Sequence, residues 1–248
     1  VIVITTHIHP DADGIGSQIA LYLALKKLKK NVICVNELPL ISRYDYLSPE
    51  KCVLSFKEYQ ESYGQRSIDL FIVVDSHSLS RIGNKTQQLV MNSKNLLFID
   101  HHPCPKELQA IHSIGTEYSA TGELVGKLIN SLNITIDNAM AQALYTSILV
   151  DTSSFRYPSV TKNTHKFVSK LLEAGVVPSE AYKAIYGDKD LDYLRLLGTV
   201  LSMAQSTPNG EIAWITLKQN SLEKYRVKDE YTNSFINHLL ILDKIKVA

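Results

Sequence analysis

Long apolar runs are missing from this chain of 248 residues. The longest, such as VIVIT at residues 1–5 and LFIVV at 70–74, fall far short of the roughly 20 residues that cross a bilayer, so no membrane-spanning helix is expected. Excess charge is missing too. With 26 Lys and Arg against 25 Asp and Glu, the formal net charge is +1. A chain this neutral has no bulk attraction for DNA or anionic membranes, and any nucleic-acid contact must be local. Cysteine is scarce: Cys34, Cys52 and Cys104 are widely spaced, odd in number and in no CxxC pair. That excludes a disulfide framework and points to plain thiols in a reducing cytoplasm. Internal repeats and low-complexity stretches are also lacking. The composition, 45% hydrophobic and 21% charged, is that of a packed globular chain and excludes wholesale disorder.

What is present first is an alternation of strand and helix patterns. Residues 1–5 form a β-branched apolar run. A helical pattern follows over 14–30, with Ile15, Ile19, Leu23, Leu25 and Leu28 on roughly one period. Further strands are predicted over 31–36, 68–74 and 95–99, with a helix around 86–91. Continuous apolar strands joined by helical crossovers predict an α/β fold, a parallel sheet with helices on both faces. From residue 119 the pattern is helical: 119–131, 139–149, 162–174, 179–186 and 191–205, with Gly175 and Pro178 at helix boundaries. After the turn Thr207-Pro208-Asn209-Gly210, residues 211–217 alternate like a strand. The expected organisation is a first domain over 1–186, a connecting helix over 187–206, and the start of a second, smaller α/β domain over 207–248. The chain starts at Val1 without Met or a signal-peptide pattern and stops in an apolar run. The expectation is a piece of a longer protein.

Three of the predicted strands end in acids and imidazoles. The first is followed by His7-Ile8-His9-Pro10-Asp11-Ala12-Asp13-Gly14, the third by Asp75-Ser76-His77, the fourth by Asp100-His101-His102. Ligands bind beyond the carboxyl ends of strands in an open parallel sheet, so these clusters are expected to converge on one rim. Carboxylates with imidazoles and no thiolates suit Mn²⁺, Mg²⁺ or Fe²⁺, with zinc less favoured. In extended chain Asp11 and Asp13 lie on one side, roughly 7 Å apart, which suits two neighbouring ions. Asp75 can bridge both. Two ions about 3.5–4 Å apart are the arrangement for in-line attack on phosphorus. The amides of the helix opened by Gly14 and Gly16 can receive phosphate oxygens. A lone Asp after a strand is often only a helix cap or turn former, but three such clusters in register with three strand ends are not explained that way.

His7, Asp11-x-Asp13, Ser17, Asp75 and Asp100-His101-His102 resemble the successive motifs of the DHH phosphoesterase family. The resemblance supplies a fourth motif, an Asp closing a helix, which Asp151 fits; a helix C-terminus does not otherwise favour a negative charge. It implies one metal held by His7, Asp11 and Asp75 and a second held by Asp13, Asp75, His101 and Asp151, manganese being the expected ion. Asp75 then bridges the metals and takes part in catalysis. Asp100 orients a histidine by accepting a ring N–H. His102 contacts the scissile phosphate and assists as an acid or positive donor. Arg156, close after Asp151, is a candidate phosphate clamp, the alternative being an exposed loop cation.

The stretch TSSFRYPSVTKNTH after Asp151 is more similar to the oligoribonuclease and 3′-phosphoadenosine 5′-phosphate (pAp) phosphatase branch than to RecJ-type exonucleases or pyrophosphatases. The glycine-rich GGGH segment of that branch's C-terminal domain is not found in the chain. The implied substrates are short single-stranded RNA or DNA oligonucleotides or pAp, and relatives suggest a homodimer. The alternatives are an inorganic pyrophosphatase, a non-hydrolytic nucleotide-binding module, and a hydrolase with a single metal. Other features read as ordinary. His9 is expected near the site but not as a ligand, and His77, two residues after the bridging Asp, either reaches the site or, as favoured, faces solvent. His112, His165 and His238 are expected in loop or helix contexts outside the motifs. Lys162, Lys166 and Lys170 recur every four residues as a solvated helix face.

Overall fold

The computed structural model describes residues 1–48, 51–64, 66–103, 110–187, 189–228, 231–232 and 234–248. Cys104 lies outside the described residues, whereas Cys34 is fully buried, which pushes its thiol pKa well up. Two compact units divide the chain at Ile185 and Tyr186. The first contains, in order, β1 (Ile2–Thr5), α1 (Ala12–Lys27), β2 (Val32–Asn36), β3 (Val53–Ser55), α2 (Phe56–Tyr63), β4 (Leu70–Val74), α3 (Asn84–Gln88), β5 (Leu96–Asp100) and β6 (Ile111–Ile114). Then come α4 (Thr121–Ser131), α5 (Asn138–Asp151), α6 (Lys162–Glu173) and α7 (Pro178–Tyr186), which reaches the boundary.

The strands form one six-stranded sheet in the order β3-β2-β1-β4-β5-β6, every neighbouring pair parallel. This is the expected α/β architecture. Strand sequences run apolar without alternation because both faces are covered. Val3, Ile33, Val35, Phe71, Val73 and Phe98 share one face with Phe56 and Tyr59 of α2. The intervening Ile4, Ile72 and Ile99 are buried too; α1, α4 and α5 pack against one another beside the sheet. The winding reverses between β1 and β4, where sheets of this order open a crevice beyond the carboxyl ends. Register then does the rest. Thr5 pairs with Val73 and Val73 with Phe98, so two residues further along each chain His7, Asp75 and Asp100 come out level.

Two strands of this sheet have no counterpart in the sequence reading. β3 is only three residues long and runs straight into α2, whose start is fixed by a capping box between Ser55 and Glu58. β6 is an edge strand with Ile111 and Ser113 exposed. The helix expected around 86–91 is α3 followed by a 3-10 turn, Leu89–Asn92.

The second unit contains α8 (Leu191–Ser202), β7 (Gln205–Ser206), β8 (Ala213–Trp214) and α9 (Gln219–Tyr225). Leu196 and Val200 of α8 pack with Leu222, Val227 and Phe235. β7 and β8 pair antiparallel, so the strand expected over 211–217 is confined to two residues, with Ile212 bridged to Val247. Among the described residues, no helix is long and apolar enough to cross a membrane.

Candidate metal centre

The loop after β1 starts α1 two residues earlier than its apolar pattern predicts. Asp11 is the N-cap: its Oδ1 accepts the amides of Asp13, at 2.9 Å, and Gly14, at 3.2 Å. Asp11 and Asp13 are therefore not on one side of an extended segment, because capping winds Asp13 into the first turn. Gly14 is required there by space, since a Cβ would lie 2.3 Å from the buried Thr6 Oγ1. His7 Nε2 sits 3.3 Å from Asp75 Oδ2. His7, Asp11 and Asp75 each offer a ligand atom, all within 4.8 Å of one another. Asp75 leaves β4 through a left-handed residue, φ 57°, a conformation worth roughly 1–3 kcal/mol of strain in a side-chain-bearing residue.

Asp13, His101 and Asp151 form a second such group. Asp13 is fully buried, and Thr121 N (2.9 Å) and Gly122 N (3.1 Å) donate to its carboxylate. Ser147 Oγ donates as well. These two amides open α4, whose own N-cap residue, Ala120, has no capping side chain. Asp13 thus satisfies orphan donors at a helix N-terminus from another element. Asp151 ends α5, its Oδ2 3.1 Å from His101 Nε2; Asp13 Oδ2 is 3.7 Å from the same nitrogen. After Thr152 come three consecutive left-handed residues, Ser153, Ser154 and Phe155. They turn the chain tightly, with Phe155 N donating to Thr152 Oγ1 and the Phe155 ring beside Tyr145 and His165.

Electrostatics test whether divalent ions fit. Burial pushes Asp75 well above the usual carboxylate range, with Asp13, Asp11, Asp100 and Asp151 adding. Burial likewise raises Asp13, and it lifts Asp151 to about 8, with Asp13 and Asp11 contributing. Burial lowers His7, favouring the neutral imidazole a metal requires. His101 carries the sharpest sign. Its Nδ1 lies 3.4 Å from the Tyr118 carbonyl, so the ring proton belongs there and Nε2 presents a lone pair toward two carboxylates. That nitrogen is buried and, among the described residues, has no hydrogen-bond partner. A cation between it and the acids relieves both defects, so the residues present fit divalent metal.

Asp75, Asp100, His101 and His102 make a third group of candidate ligand atoms, continuous with the other two. Asp100 is completely buried. Its Oδ1 accepts His102 Nδ1 at 2.8 Å and His102 N at 3.1 Å. Its Oδ2 accepts His77 Nδ1 at 2.9 Å. Burial works to raise Asp100, but the bonds from His102 and His77 outweigh it and hold the carboxyl below its ordinary value. The Asp100 hydrogen bond in turn raises His102.

The structure therefore brings together His7, Asp11, Asp13, Asp75, Asp100, His101, His102 and Asp151. Arg156 is not in any of these groups; its guanidinium donates to Ser153 O and Oγ. His9 is exposed and belongs to none of the three groups. His77 is a correction: it is bonded to Asp100 and its side chain is 20% exposed, not a solvent-facing ring. The left-handed turn at Asp75 swings it back toward β5. The supports of Asp13 also escape a sequence reading. Their one signal is Ala120-Thr121-Gly122 opening a helix without a capping side chain. Arg81 was not singled out either, though its charge opposes protonation of both His7 and His102.

The chain resembles known proteins in family and in fold. A family described as "DHH family, N-terminal domain" matches residues 1–148. The chain is 32% identical over 203 residues to "Bifunctional oligoribonuclease and PAP phosphatase NrnA" of Thermus thermophilus, covering 81% of this chain and 58% of the relative. Identity to the Bacillus subtilis protein of that name is 26% over 231 residues, 90% of this chain and 68% of the relative. A solved exopolyphosphatase-related protein from Bacteroides fragilis superposes with a TM-score of 0.90 at 28% identity, over 98% of this chain and 73% of that one. The chain thus spans only part of the length of the relatives it matches.

Proposed function

Because the chain belongs to the DHH family, we propose that it forms the metal-binding part of a phosphoesterase acting on short oligonucleotides and pAp. The observation that carries the reading is the pair of ligand groups, His7/Asp11/Asp75 and Asp13/His101/Asp151, joined through Asp75 and the His101 cluster. His7, Asp11 and Asp75 would hold one ion, and Asp13, Asp75, His101 and Asp151 a second, Mn²⁺ being the favoured species. When bound, such a pair of cations acidifies an attacking water and neutralises charge on the phosphoryl oxygens. The substrate class follows the names of the Thermus and Bacillus relatives.

The chain's own side chains do the rest. Asp75, fixed by its strand end and by Thr121 Oγ1 at 3.3 Å, sets the spacing of the two groups. His102 keeps its Nδ1 proton on Asp100 Oδ1, which leaves Nε2 to deliver a proton to the leaving oxygen of the cleaved ester. The Asp100 hydrogen bond raises the basicity of His102, which favours the protonated ring. Arg156 would reach the substrate phosphate only by leaving Ser153, so its clamp role is secondary.

The test is a substrate panel on the full-length protein with Mn²⁺: pAp, dinucleotides, longer RNA and pyrophosphate. Phosphate release from pAp and cleavage of dinucleotides, both abolished by Asp75→Ala, support the reading. Turnover of pyrophosphate alone would make it a pyrophosphatase, and tight nucleotide binding without turnover a binding module.

A further inference from the structure

His77 has no part in either proposed ion site, yet it occupies the oxygen of Asp100 that His102 leaves open. Asp100 is completely buried, and an aspartate carboxylate rotates over a broad torsional range unless both oxygens are engaged. Here they are: His102 Nδ1 at 2.8 Å on Oδ1 and His77 Nδ1 at 2.9 Å on Oδ2. The two rings reach Asp100 from different strand ends, since His77 follows β4 and His102 follows β5. The local backbone holds His77 in place. Asp75 turns left-handed, its amide donates to Ile99 O at 2.9 Å, and Ser76 Oγ accepts the amide of Ser78 at 3.3 Å.

We propose that His77 is a positioning residue for the hydrolysis: by pinning the second oxygen of Asp100, it holds the His102 ring in the orientation that serves the leaving group. This rests on the functional reading above. Without His77, Oδ2 lies buried with no side-chain donor, Asp100 can swing, and His102 Nε2 loses its fixed direction while the two ligand groups keep all their members. The defect belongs to leaving-group protonation, not to substrate or metal binding.

The experiment compares wild type, His77→Leu and His77→Gln in the full-length protein with Mn²⁺. Two substrates are used: a dinucleotide, whose leaving group is a poor alkoxide, and bis-p-nitrophenyl phosphate, whose phenolate needs no proton. For His77→Leu we expect kcat on the dinucleotide to fall roughly 10- to 100-fold, the usual cost of an outer-shell partner. KM, bound Mn²⁺ and turnover of the phenyl ester should stay near wild type, and His77→Gln, which retains a donor, should recover much of the loss. Equal losses on both substrates, or loss of Mn²⁺ from His77→Leu, would mean a merely structural role and overturn the proposal. So would an unaffected His77→Leu in an active protein. A wild type inert on both esters would overturn the phosphoesterase reading, and the positioning role with it.

Discussion

His7, Asp11 and Asp75 lie just beyond two strands that are neighbours in the sheet, whereas Asp13, His101 and Asp151 come from a helix start, a strand end and a helix end. The first group is set by backbone pairing and one N-cap. The second exists only when α1, α4 and α5 are packed together, because Asp13 is held by Thr121, Gly122 and Ser147. The charge differs in detail: in the first group burial and neighbouring acids raise Asp75, and in the second they raise both carboxyls, Asp13 and Asp151.

Asp75→Ala strikes both halves and should have the largest effect, cutting turnover on the order of 10³-fold, since several kcal/mol of transition-state stabilisation pass through the ions. Metal titration of the variant should show neither ion at full affinity. Next is Gly122→Ala. A Cβ there would lie 2.0 Å from Ser147 Oγ, so α4 and α5 must part and Asp13 loses its donors. The expected cost is roughly 1–3 kcal/mol, read by denaturant unfolding, with one Mn²⁺ lost and the other retained.

Acidity separates the halves further. Asp151 titrates at about 8 in the fold, far above an unfolded aspartate. Its protonated form is favoured in the native state, so its contribution is fully present below the unfolded value and is lost as pH rises through about 8. In EDTA the melting temperature should therefore fall from pH 5 to pH 8.5, with added Mn²⁺ restoring it most at the high end. Asp151→Asn should make the EDTA profile shallower, the remaining slope belonging to Asp13 and Asp75, which burial also raises. A profile that is already flat in wild type would erase the proposed difference. The smallest stability effect is expected of Asp11→Asn. Asn caps as well as Asp, so stability should change by less than about 0.5 kcal/mol while one ion is lost.

Much of the first half can be read from the chain because it depends on strand ends. VIVIT, LFIVV and NLLFI are largely apolar, and an acid or imidazole follows each within two residues. Asp151 is different: nothing in ILVDT marks a helix-terminal acid as a ligand, and only the family pattern points to it. The sequence marks His77 as close to the cluster but not its bond to Asp100, and it gives no sign of the Thr121–Gly122 amides, because both roles arise from contacts across the fold. β3 is too short, and β6 too polar and too close to the edge, to give a strand period. The early start of α1 has a local cause, the side chain of Asp11, which outweighs the apolar periodicity beginning at Ile15.

The α4 amides held by Asp13 make that helix a gauge. If an ion draws on the same carboxylate, the bonds from Thr121 and Gly122 must lengthen or tighten with loading. Solvent deuterium uptake at those two backbone sites would then track occupancy, residue by residue, without any turnover being measured.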